Sequence, residues 1–431
     1  MGAYAEPKSP SSEGSASAHM THLVTFLFFA WGFATVLIDT LIPKLKSLFA
    51  LSYAEAMLTQ FCFFLGYFVF SLIAARILAR VGYVRAIVQG LVVMAIGCLL
   101  FSPAASLGTY PGFLLALFVM AAGITMLQVA ANPFIAILGP ERCAHSRLTL
   151  AQAFNSLGTT LGPLVGAWLI LGTGLGEPIK AQGSAAMAAL RKTEAHSLQL
   201  PFLLIAATLV VVALVFWFNR PAAMPSEQRD QSSERADVLL RKHPRLLLGV
   251  VSIFVYVGAE VSIGSVLVNY LMEPSVLAVS AANAGRLVSL YWGGAMVGRF
   301  IGSAVLRRYP PGAVLAACAV GAAILAVISS TTGGTVAAAT IIAVGLCNSI
   351  MFPTIFTIAL EGLGVNTPKG SGVLCMAIVG GAIIPLITGT TADAFGLAVA
   401  LLVPAICYVW LATYGVLAWR GLRSPPPIRL Q

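Results

Sequence analysis

The chain is a succession of apolar runs, each about 20 residues long, cut apart by short stretches that hold charges, Pro or Gly. That is the length an α-helix needs to cross hydrocarbon, where every backbone N–H and C=O must be satisfied within the segment. The pattern predicts twelve spans, near 22–49, 53–80, 84–104, 110–138, 146–172, 199–218, 244–272, 279–307, 311–330, 334–363, 368–390 and 394–419. Hydrophobic residues make up 59% of the chain and charged residues 9%, against about 25% charged in a soluble domain. The fold class expected is an all-α polytopic membrane protein with the lipid bilayer as its solvent.

A formal charge of +10 does not point to nucleic acid here, because the basic residues sit in short loops between apolar runs. Twelve spans put both termini on one side. If that side is the cytoplasm, the other side holds six of the 25 Lys and Arg residues, namely Lys44, Lys46, Lys180, Arg191, Lys192 and Arg286. The remainder are cytoplasmic, Arg299 counted among them, and that asymmetry is the positive-inside pattern. The seven cysteines show neither metal-ligand spacing nor a disulfide framework and read as small core residues.

Residues 1–21 are polar and small and read as a disordered cytoplasmic tail, and residues 420–431 as a second one. The segment "NRPAAMPSEQRDQSSERADVLLRKHPR" mixes both charge signs with Pro and Ser, so 219–243 reads as a cytoplasmic linker. It divides the chain into a first six-helix half, 22–218, and a second, 244–419. The halves resemble each other. "QVAANPFIAILGPE" lies without gaps on "NSIMFPTIFTIALE", which pairs Gln128 with Asn348, Pro133 with Pro353 and Glu141 with Glu361. "SLGTTLGPLVG" lies on "IVGGAIIPLIT", and "FLGYFVFSLIAARILAR" on "WGGAMVGRFIGSAVLRR". Two parallel six-helix repeats are the plan of the major facilitator fold, whose substrate site lies between the halves.

Ionisable and amide groups inside spans are costly, so they mark candidate sites. Asp39 falls well inside span one, and Pro43, four residues on, leaves the Asp39 carbonyl without its helical donor. A carboxylate and a freed carbonyl at one kinked turn suit a proton or a sodium ion. Glu260 is the other carboxylate deep in a span. Gln128 and Asn132 are four apart on one face of span four, where Pro133 frees the Val129 carbonyl; Gln152, Asn155 and Ser156 cluster on span five. Amides both donate and accept, as pairs of sugar hydroxyls require. Asn269 and Asn348 join them as candidate substrate contacts, and Trp292 as a candidate stacking surface. Glu141, Arg142, Arg147 and Glu361 sit at cytoplasmic helix ends and read as gating ion pairs. There is no nucleotide-binding or hydrolase motif. The expectation is a transporter rather than an enzyme, with no cofactor beyond a coupling ion.

The stretches "FFAWGFATVLIDTLIPKLK", "AANPFIAILGP", "RLTLAQAFNSLGTTLGP", "YVGAEVSIGSVLVNYL" and "FPTIFTIALEGLG" resemble the fucose/glucose/galactose:cation symporter group of the major facilitator superfamily. The resemblance runs from about residue 22 to 419. It implies uptake of a monosaccharide by alternating access across a bacterial cytoplasmic membrane, by a monomer. In the group's fucose:proton member, an aspartate on span one and a glutamate on span four handle proton and sugar. Asp39 matches the first. The second matches Gln128, which cannot titrate, and Glu260 stands where that member has a glutamine. These departures are similar to glucose/galactose-type members and make sodium a rival to the proton as coupling ion. The alternative on the same fold is an exporter of an amphipathic or lipophilic compound, which needs an apolar cavity with few amides.

Overall fold

The computed structural model describes residues 10–39, 53–107, 110–171, 202–220 and 236–421, with side chains described for 18–36, 61–104, 110–162, 202–220 and 239–421. All regular structure among them is helical. The first half contains α1 (Pro10–Asp39), α2 (Tyr53–Val81), α3 (Tyr83–Leu107), α4 (Tyr110–Ile137), α5 (Ala144–Leu171) and α6 (Phe202–Phe218). The second contains α7 (Pro244–Met272), α8 (Ala281–Val305), α9 (Pro311–Thr331), α10 (Gly334–Leu360), α11 (Gly364–Phe395) and α12 (Leu397–Trp419). Each of the twelve expected spans corresponds to one of these helices; residues 40–49, expected to end span one, lie outside the described residues. Two boundaries differ: α1 begins at Pro10, inside the stretch read as a tail, and a short helix, Ala236–Lys242, occupies the end of the linker. The first leads directly into the apolar part of α1, which extends it by propagation; the second is a separate turn that stops at His243, before Pro244.

Local chemistry explains several helix starts and breaks. Pro244 and Pro311 open α7 and α9, where a missing N–H costs nothing. Ser280 caps α8 by accepting the Asn283 backbone N–H. Helix α10 breaks after Asn348 and resumes at Met351. Pro353 cannot donate to the Ser349 carbonyl, so the ladder is interrupted there.

The packing repeats between halves. Helix α1 lies on α5 as α7 lies on α11; α2 on α4 as α8 on α10; α3 on α4 as α9 on α10. The two halves meet where α2 packs on α11 and α8 on α5. One pair of glycines makes the repeat concrete. A Cβ at Gly158 would lie 2.3 Å from the Phe29 carbonyl oxygen, and one at the repeat-related Gly380 2.0 Å from that of Phe254. Helices α1/α5 and α7/α11 therefore approach closely enough for only hydrogen to fit. Large apolar side chains such as Phe68, Leu115, Ile301 and Ile406 are exposed on the outside of the bundle, as a lipid-facing surface requires.

The end of the bundle that carries the start of α1 is where the halves are bonded to each other. His19, in the first third of α1, meets Asn219 after α6, which fixes that end. There, Ser146 on α5 donates to the Ser303 carbonyl at the end of α8, and Arg307 donates to Ser146 in turn. Ser371 on α11 donates to the Val129 carbonyl of α4 at 2.7 Å. That is the carbonyl Pro133 deprives of a helical donor, so the second half satisfies it.

Candidate functional site between the halves

Between the halves lies a cavity of about 720 Å³, its mouth included. From the first half, Trp31, Gly32 and Thr35 on α1, Tyr67 on α2, Ile124 and Gln128 on α4, and Gln152, Asn155 and Thr159 on α5 face it. The second half contributes Val257 and Glu260 of α7, Arg299 of α8, Phe352 of α10 and Ile378 of α11.

The amides form a connected chain. Gln128 Nε2 donates to the Tyr67 hydroxyl at 3.1 Å, Asn132 Nδ2 to Gln128 Oε1 at 3.0 Å, and Gln152 Nε2 to Asn132 Oδ1 at 3.3 Å. Asn132 is fully buried behind the cavity wall and orients the two glutamines that line it. Each glutamine keeps part of its hydrogen-bonding capacity for the cavity. Asn155 Nδ2 donates to the Phe28 carbonyl of α1 at 2.9 Å, which pins the amide by its nitrogen side. Trp31 is buried, with its ring centroid 5.6 Å from that of Phe28. An apolar ring beside donors and acceptors is the surface a polyhydroxylated ring needs.

Opposite the amides stands a pair of charges. Glu260 stands one turn along α7 from Tyr256 and lines the cavity together with Arg299. Tyr256 itself donates to the Asn348 carbonyl at 3.1 Å, at the break in α10. Arg299 Nε donates to the Ser349 carbonyl at 3.2 Å, and Arg299 Nη1 donates to Ser156 Oγ of the first half.

Several residues stand elsewhere than the sequence suggested. Asn269 is exposed on α7 and does not line the cavity. It follows Glu260 by nine residues, about two and a half turns, so it points to the opposite face. Trp292 is 45% exposed and packs against Gly264 and Tyr291, about two turns along α8 from Arg299. Asn348 is buried and donates to the Tyr291 hydroxyl at 2.8 Å, which directs it into the second half rather than the cavity. Asp39 ends the described part of α1, one turn beyond Thr35; its side chain, Pro43 and the two lysines after it lie outside the described residues.

The gating set divides likewise. Glu361 takes part in an inter-half cluster: Oε1 is 3.1 Å from His145 Nε2, and Oε2 accepts from Arg245 Nη1 at 2.7 Å. Arg147 makes no inter-half bond among those of the described residues. Its guanidinium donates to the carbonyls of Ile135, Ala136, Gly139 and Pro140, closing the C-terminal end of α4 within its own half. Glu141 and Arg142 are exposed and enter no ion pair among the described residues.

Two functional candidates were missed. His145 was a lone histidine in "ERCAHSRL", with no pattern to mark it. Arg299 had a signal: it lies inside the apolar run "GGAMVGRFIGS", two turns before Arg307, and an intramembrane arginine marks a pathway more often than a loop.

Two six-helix halves around a polar cavity at their interface define a membrane transport protein. Comparison with known proteins gives its family. The model of the Major Facilitator Superfamily matches residues 24–374. The chain is 51% identical over 409 residues to the glucose/galactose transporter of Brucella abortus, covering 94% of this chain and 95% of that one. It is 35% identical to the L-fucose-proton symporter of Escherichia coli, covering 90% of each. The crystal structure of the E. coli fucose:proton symporter superposes with a TM-score of 0.86 at 31% identity, covering 94% of this chain and 99% of that one. The chain belongs to the Major Facilitator Superfamily.

Proposed function

We propose that this protein is a cation-coupled hexose importer of a bacterial cytoplasmic membrane, with glucose and galactose as its first candidate substrates. The observation that carries the reading is the Tyr67–Gln128–Asn132–Gln152 chain, a preorganised set of amides beside Trp31 on the cavity wall. Relatives named for glucose and galactose transport, 51% identical along nearly the whole chain, support the same substrate class. The amide-lined wall counts against the exporter of a lipophilic compound.

In this reading Gln128, Gln152 and Asn155 hold sugar hydroxyls, with Asn132 as a positioning residue behind them. Asp39 and Glu260 carry the coupling ion, a proton or sodium. The halves, 22–218 and 244–419, rock about the cavity, with 219–243 as the linker and both termini in the cytoplasm. The inter-half bonds around His145, Glu361 and Ser371 then close the cytoplasmic side, and the cavity faces outward. The working unit in this reading is a monomer.

Counterflow tests the reading. Proteoliposomes preloaded with unlabelled sugar are given labelled glucose, galactose, mannose, fucose or N-acetylglucosamine, with and without sodium, at two pH values. Exchange of glucose or galactose is expected. Exchange of none of the five would overturn the proposed substrate class.

A further inference from the structure

Two threonines in the spans depart from the habit of the others. A threonine inside a helix commonly donates its hydroxyl to the carbonyl four residues back, as Thr125, Thr160, Thr340 and Thr388 do here. Thr149 on α5 and Thr354 on α10 are fully buried, and neither hydroxyl has a hydrogen-bond partner among the described residues. A buried hydroxyl without a partner costs free energy that an apolar side chain of the same shape would not.

The two come from opposite halves and share one level of the bundle. His145 and Thr357 meet across the halves, which sets the register of α5 against α10. Thr149 lies one turn beyond His145 along α5, and Thr354 about one turn before Thr357 along α10. Each is therefore a turn nearer the cavity than that joint. Gln152, three residues after Thr149, and Phe352, two before Thr354, already line the cavity. Thr149 faces the second half, for a Cβ at Gly302 of α8 would lie 4.0 Å from its methyl carbon. The two hydroxyls thus stand between the cavity floor and the His145–Glu361 joint.

A sugar released towards that joint has to pass this level. A threonine hydroxyl donates and accepts, as a sugar hydroxyl does. We propose that the seam between α5 and α10 is the sugar's exit path, and that Thr149 and Thr354 form a transit subsite on it for sugar hydroxyls. When the seam parts, the two hydroxyls gain the outgoing sugar, or the water that follows it, as partners. Their unmet bonds raise the energy of the closed seam and so favour its opening. The inference rests on the reading of the protein as a hexose importer.

The test measures uptake and counterflow of labelled galactose or glucose by the full-length protein in proteoliposomes, over a range of sugar concentrations. Thr149→Val and Thr354→Val keep the side-chain shape and remove the hydroxyl. Each is expected to lower the maximal rate about five-fold without raising the half-saturating sugar concentration, because the cavity itself is untouched. Thr149→Ser and Thr354→Ser restore the hydroxyl and are expected to recover most of the rate. Valine variants that transport at the wild-type rate would overturn the proposal. So would serine variants as slow as the valine ones, which would make the role one of packing, or a raised half-saturating concentration, which would move the hydroxyls into the binding cavity. If a valine variant does not fold, Thr149→Cys and Thr354→Cys decide. A thiol reagent on the cytoplasmic side is expected to modify these positions faster during sugar transport, read by mass spectrometry; modification that turnover leaves unchanged would refute the exit path. Absence of hexose counterflow in the wild type defeats the importer reading, whereas wild-type counterflow with unaffected valine variants defeats this proposal alone.

Discussion

His145 on α5 and Glu361 at the end of α10 join the two halves, with Nε2 and Oε1 3.1 Å apart. The second carboxylate oxygen is held by Arg245 at 2.7 Å, so Glu361 is fixed within its own half before it reaches across. His145 is buried, and its other ring nitrogen lies 2.5 Å from Thr357 Oγ1. Opening this end must break both inter-half contacts. Glu361→Gln is expected to weaken the closed joint by about 1–3 kcal/mol and shift the protein towards opening there. Labelling of a cysteine placed behind the joint should accelerate, and sugar affinity from the opposite side should fall. Unchanged labelling would show that the joint is held by the His145–Thr357 contact and by Ser146, Arg307 and Ser371 without the Glu361 bond.

Gln128 is the hinge of the amide chain, bonded to Tyr67 on α2 and to Asn132 on its own helix. Gln128→Ala removes a proposed sugar contact and leaves Asn132 without the acceptor for its Nδ2. Hexose affinity is expected to fall by about ten-fold or more, with about 1–3 kcal/mol of stability lost. Binding calorimetry and thermal unfolding in detergent read the two effects separately.

The α1/α5 contact tolerates no side chain at Gly158, where a Cβ would meet the Phe29 carbonyl. Gly158→Ala and Gly380→Ala are expected to cost about 1–3 kcal/mol each by overpacking, seen as lower melting temperatures. Equal losses from the two would follow from the repeat; a neutral Gly158→Ala would mean the helices separate freely.

Asn269 supplies the control. It is exposed on α7, on the face away from Glu260. Asn269→Ala is expected to leave hexose affinity unchanged in the same calorimetric titration. A large loss would place Asn269 on the sugar's route.

Most of the fold was legible because a bilayer imposes one helical length and one polarity on every span, and the repeat could be read from prolines and glycines in order. Gln128, Gln152, Asn155 and Glu260, which line the cavity, were legible as candidates because polar groups are rare in such spans. Asn269 and Trp292 met that same criterion and lie outside the cavity, since rarity says nothing about which face of a helix turns inward. Asn348 was carried by the repeat onto Gln128, yet its amide serves Tyr291 in the second half. The repeat preserves backbone geometry, with Pro133 and Pro353 each freeing a carbonyl, but the donors that satisfy them differ: Ser371 for Val129, Arg299 for Ser349. Arg299 was hidden by the charge count that placed it on the cytoplasmic side, and His145 by the long sequence separation from Glu361.

The most direct measurement of the central claim compares concentrative uptake with exchange in wild type and Asp39→Asn. Proteoliposomes are given labelled galactose or glucose under an imposed inward sodium or proton gradient, and counterflow is recorded in parallel. Wild type is expected to accumulate sugar above its external concentration, and Asp39→Asn to lose accumulation while retaining counterflow. Accumulation that survives in Asp39→Asn, or that needs no cation gradient in wild type, would contradict it.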